Sequence, residues 1–113
     1  PGVKQRITKR FERAERAEQQ RSLGILLDDL ASWLRDLVAV AAGAPADALV
    51  NAEHEEALRR DALAVDVPMV LGWMERVSSC RAALARNGAP ELHLERLLMA
   101  IAVGLYARRV RAA

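Results

Sequence analysis

Between Pro1 and Pro45 the chain contains no proline, and apolar residues return every three or four positions along that stretch. Leu23, Leu26, Leu27, Leu30, Leu34, Leu37, Val38 and Ala41 form a broad stripe at helical spacing, preceded by a thinner one of Val3, Ile7, Phe11 and Ala14. This pattern allows one helix of up to about 40 residues over 2–42. Gly24, worth about 1 kcal/mol less than alanine in a helix, is the place where it would break or bend. Gly43 supplies a C-cap and Pro45 forbids continuation.

The rest of the chain repeats this grammar. Asn51 is placed to cap a second helix over roughly 52–64, with Glu53, Glu55 and Glu56 near its positive end. A third helix is predicted from Val67 to Arg86, following Asp66, with Pro68 in its first turn. Its stripe is Val70, Leu71, Met74, Val77, Cys80 and Leu84. Asn87-Gly88 is a stop, and Pro90 opens a fourth helix to about residue 108 with Leu94, Leu97, Leu98, Ile101 and Leu105 on one face. No segment alternates with a period of two between hairpin turns. The expected fold is therefore all-α, a small bundle of four to five helices. Leu30, Leu34, Leu37, Leu71, Met74, Leu97, Leu98 and Ile101 should share one core. Residues 1–22 read as a charged lead-in helix and 23–113 as a single helical domain.

Composition excludes several classes. A chain of 113 residues buries roughly 65% of its unfolded surface, enough for one core without staples. The lone Cys80 rules out an intramolecular disulfide and, lying on an apolar stripe, reads as a buried inert thiol. No apolar run approaches the length of a membrane span, and the first apolar stretch lacks the features of a signal peptide, so a cytoplasmic protein is expected. The chain begins at Pro1 rather than Met, which implies a piece of something longer.

Charge is uneven although the total is only +2. Residues 1–21 carry seven basic groups against three acidic ones, residues 22–107 seven against twelve, and Arg108, Arg109 and Arg111 follow. The basic lead-in reads as a solvated helix whose charges pair internally, with Glu12 and Arg16 in the favourable i,i+4 order. The alternative is a nucleic-acid arm making weak phosphate contacts through Lys9, Arg10, Arg13 and Arg16.

Catalytic patterns are missing. His54 and His93 lie on different helices without a metal-closing spacing, and no glycine-rich phosphate loop occurs. No enzyme activity, cofactor or metal is expected of this chain. Trp33 and Trp73, two of four aromatic residues, fit core or subunit-contact anchors better than base-stacking platforms. Arg35 and Asp36, adjacent in sequence, are expected to reach different partners rather than each other.

Four landmarks carry a family resemblance. The stretch LGILLDDLASWLRDLVAVAAG, opening at Leu23, resembles the first helix of the C-terminal collar domain of bacterial DNA polymerase III clamp-loader subunits. Leu49-Val50-Asn51 is similar to the turn before the second collar helix. Cys80-Arg81-Ala82-Ala83-Leu84-Ala85-Arg86-Asn87 resembles the ending of the third, and a Pro-initiated leucine-rich helix follows, here Pro90 to Ile101. The order is most like the delta-prime subunit of actinobacterial type, with the gamma/tau collar as runner-up. The basic segment ending Gln19-Gln20-Arg21 looks like that group's approach helix. The resemblance implies a structural role. It would be an oligomerisation domain, partnered by other clamp-loader subunits in a heteropentamer and meeting DNA only indirectly or weakly. The parent would be a non-catalytic subunit of the replicative polymerase holoenzyme, with ATPase-fold domains upstream. Trp33, Arg35, Asp36 and Trp73 are the expected subunit-interface residues. A tryptophan would border an apolar patch, and Arg35 with Asp36 would fix orientation at its rim.

Overall fold

The longest helix sets the shape. In the computed structural model, which describes residues 2–86 and 89–112, α1 runs unbroken from Gly2 to Ala41. At 1.5 Å per residue it spans about 60 Å, matching the longest dimension of the molecule, 62 Å. The radius of gyration, 18.2 Å, exceeds the value of about 13 Å for a compact chain of this length. The excess lies in α1, because residues 2–19 are exposed throughout.

The helix passes straight through Gly24. A Cβ built there would meet Leu84 Cδ2 at 3.8 Å, an ordinary contact. Gly24→Ala should therefore raise stability by about 0.5–1 kcal/mol, seen as a higher urea midpoint with an unchanged slope. α1 ends where the sequence placed its stop. Gly43 takes φ +84°, its N–H bonds to the Val40 carbonyl and the Ala44 N–H to that of Ala39, both at 3.0 Å. This is the Schellman arrangement that glycine favours.

Two short 3₁₀ turns, Ala46–Ala48 and Ala52–His54, lead into α2 (Glu55–Ala62). Helix α3 follows over Val67–Ala85 and α4 over Pro90–Ala112. Among the described residues there is no strand, and the all-α expectation holds. The predicted stop at Asn87-Gly88 lies outside the described residues. α3 is central, packing against both α1 and α4, while α2 lies against α1. The tie between α3 and α4 is reinforced at one end, where Asp66 meets Arg108 Nε at 3.1 Å and Arg111 Nη2 at 3.8 Å.

Leu27, Leu34, Leu37, Leu49, Leu58, Val70, Trp73, Val77, Cys80 and Leu97 form the buried cluster, with Leu30, Met74 and Ile101 packed at its edge. Two expected core residues are not in it: Leu71 is 48% exposed and Leu98 54%. Each stands one position from the true inward residue on its helix, a rotation of about 100°. On α3 the inward line is Val70, Trp73, Val77 and Cys80. On α4 it runs through Leu97 and Gly104, where a Cβ would stand 3.2 Å from Trp73 Cζ2. Leu26 on α1 also faces solvent. The second helix is shorter than predicted, because residues 52–54 wind as 3₁₀ and Asn51 makes no side-chain cap. Its amide is committed elsewhere.

Candidate functional site

That commitment is to Asp36, which is wholly buried. Asp36 Oδ1 accepts from the Val50 N–H at 3.0 Å, and Oδ2 accepts from the Asn51 N–H and from Asn51 Nδ2, each at 2.8 Å. Asn51 Nδ2 also lies 3.3 Å from Ser32 Oγ, which itself donates to the Asp29 carbonyl at 2.8 Å. One carboxylate thus pins the loop after α1 back onto α1. Burial pushes the Asp36 carboxyl up. The Asn51 and Val50 backbone N–H groups, the Asn51 side chain and the Arg35 guanidinium together outweigh it, and hold it below the ordinary aspartate value.

Two expectations change here. Asp36 has no exposed surface with which to form the rim of an interface; it is an internal anchor. Arg35 does approach Asp36, Nη1 to Oδ1 at 3.7 Å, because its own side chain is largely exposed and can fold back over the buried carboxylate.

Trp33 stands on the neighbouring side of α1. Its indole N–H donates to Asp61 Oδ2 at 3.0 Å and its ring packs obliquely against His54, centroids 6.1 Å apart. Trp33 and Asp61 help line an apolar cleft of about 270 Å³ between α1, α3 and α4, whose walls include Leu30, Leu34, Ile101 and Leu105. Trp73, also expected at an interface, is 5% exposed and belongs to the core and to this lining. The cleft is small for a cofactor site, and among the described residues no buried side-chain polar atom lacks a partner. An apolar side chain of a partner suits it better than a polar ligand.

The largest feature that sequence reading missed is on α4. Its inward face is buried, yet Leu92, Met99, Val103, Tyr106 and Val110 recur at steps of seven, four, three and four on the opposite side. All five are between 45% and 68% exposed. The signal was present: no charged residue occurs between Arg96 and Arg108. Helices apolar on all sides are normally buried on all sides.

The expected phosphate contacts, Lys9, Arg10, Arg13 and Arg16, lie on the exposed half of α1. The internal pairing expected of that segment is largely unmade. Glu12 and Arg16 form no bridge, and Glu18 pairs instead with Arg21. Among the described residues no three His, Cys, Asp or Glu side chains gather as metal ligands. Cys80 is fully buried, and burial pushes its thiol up, away from the reactive thiolate. No described helix is long and apolar enough to cross a membrane.

These features define an all-helical bundle with an internal loop anchor, an apolar cleft and a helix left apolar on its outer side. No family model, curated protein or solved structure matches the chain.

Proposed function

We propose that the chain is a cytoplasmic assembly domain, the collar of a bacterial DNA polymerase III clamp-loader subunit of delta-prime type. In that role it packs with neighbouring subunits into the heteropentamer that loads the sliding clamp. The observation that carries an assembly role is the uncovered apolar stripe of Leu92, Met99, Val103, Tyr106 and Val110. Apolar patches of this kind on small domains mark partner sites. Trp33 and Leu105 at the α1–α4 cleft extend the apolar surface available to a neighbour. The collar assignment itself rests on the sequence resemblance. It gains support from Asp36 and Val50-Asn51, two separate landmarks of that resemblance, being halves of one hydrogen-bonded anchor.

The test is reconstitution with the other clamp-loader subunits, followed by size-exclusion chromatography. Met99→Lys with Val103→Lys places two charges on the stripe without touching the buried face. The expected result is loss of the pentamer, at least tenfold in affinity, with the helical spectrum and melting curve of the chain retained. Assembly unchanged by both substitutions, or a wild-type chain that joins no complex, overturns the proposal.

A further inference from the structure

The first half of α1 is an exposed rod with most of its basic residues gathered on one side. Arg6, Lys9, Arg13 and Arg16 follow one another at steps of three, four and three, which keeps them on one side of a helix, with Arg10 beside them. Glu15 and Glu18 lie away from this side, whereas Glu12, three residues after Lys9 and four before Arg16, borders it. All five basic residues are exposed, and none is engaged by an acidic partner among the described residues. From Arg6 to Arg16 the row covers about 15 Å. Arg13 and Arg16 also line a concave cleft of about 530 Å³ where the rod leaves the bundle, opposite Pro90 and Glu91 of α4. Long cationic side chains held apart by a rigid helix, exposed and making no ion pair among the described residues even beside Glu12, meet the requirement for a row of anions.

We infer that this face is a phosphate-binding arm that holds duplex DNA through backbone contacts of Arg6, Lys9, Arg10, Arg13 and Arg16, without reading sequence. Duplex DNA presents one negative charge per roughly 1.7 Å of axis, so a 15 Å row has several phosphates within reach. Single strands are disfavoured because Phe11 sits on the apolar stripe with Val3 and Ile7, leaving no aromatic among the cations on which bases stack. An anionic membrane is disfavoured because the apolar stripe is narrow and Glu15 and Glu18 flank it, where an interfacial helix needs a broad apolar face. The arm is separate from the α4 stripe and holds whether or not the collar reading does.

The experiment is fluorescence anisotropy of the whole chain on a labelled 20-base-pair duplex, titrated at several NaCl concentrations. Five contacts predict a slope of log K against log salt of about −4.5, falling to about −1.8 when Arg10, Arg13 and Arg16 are all replaced by glutamine. Glutamine keeps helix propensity, and circular dichroism checks that the rod survives. A control variant carrying Arg76→Gln, Arg86→Gln and Arg96→Gln, exposed positions on the bundle, should retain the wild-type slope. The inference is overturned by undetectable binding at 50 mM salt or by equal loss in the control variant. It is also overturned by tighter binding to a single strand of equal phosphate number. Binding to phosphatidylserine vesicles in place of the duplex, abolished by Ile7→Ser and Phe11→Ser, would reassign the arm to membranes.

Discussion

Asp36→Ala should cost the fold about 2–4 kcal/mol, read as a lower urea midpoint at pH 7. The carboxylate accepts three hydrogen bonds from Val50 and Asn51 while fully buried. Bonds to a charged acceptor contribute about 1.5–3 kcal/mol each. The full sum is not lost, because Val50 and Asn51 retain exposure and can turn part of their donors to water. The pH dependence follows from the direction of the shift. The folded state holds Asp36 below its ordinary value, whereas the unfolded chain titrates near 3.9. The anchor's contribution is therefore whole above about pH 4 and is lost as pH falls through the folded value. The gap between wild type and Asp36→Ala should be constant from about pH 7 to 5 and narrow in more acidic buffer. A gap that widened on acidification would mean the carboxyl is protonated in the fold at neutral pH.

Trp73→Ala should cost about 3–5 kcal/mol, while Leu71→Ala, two residues away, costs less than about 1 kcal/mol. Trp73 touches the core cluster on one side and α4 at Gly104 on the other, so truncation opens a void joined to the α1–α4 cleft. Leu71 already has about half its surface in water. Chemical denaturation of the two variants side by side decides the matter. Equal losses would place α3 in a different rotation against its neighbours.

That pair shows where sequence periodicity runs out. The stripe on α1 is legible because leucines dominate one side and charges the other, and Leu27, Leu34 and Leu37 are buried as expected. On α3 and α4 apolar residues occur on several sides, so spacing alone cannot select the inward one. Val70 and Leu71, or Leu97 and Leu98, are equivalent to any periodic template. Which one turns inward is decided by neighbours distant in sequence, such as Gly104 admitting the Trp73 ring. The same ambiguity hid the outer stripe of α4. Asp36 was visible as an unusual residue beside the leucines of α1, but its role depends on a loop fourteen residues downstream. Helix ends were legible where local chemistry sets them, as at Gly43, and not where a side chain such as that of Asn51 is recruited elsewhere.

The continuity of α1 through Gly24 makes the protein a lever. Residues 2 to 20 project roughly 28 Å from the bundle, so a tilt of about 5° at the base carries the tip about 2–3 Å. No hinge in α1 absorbs such a tilt. Any force on the tip is delivered as torque to the leucines from Leu27 to Leu37 and through them to the loop pinned by Asp36. Mechanical work at one end of this chain is thereby geared to the seating of the bundle at the other.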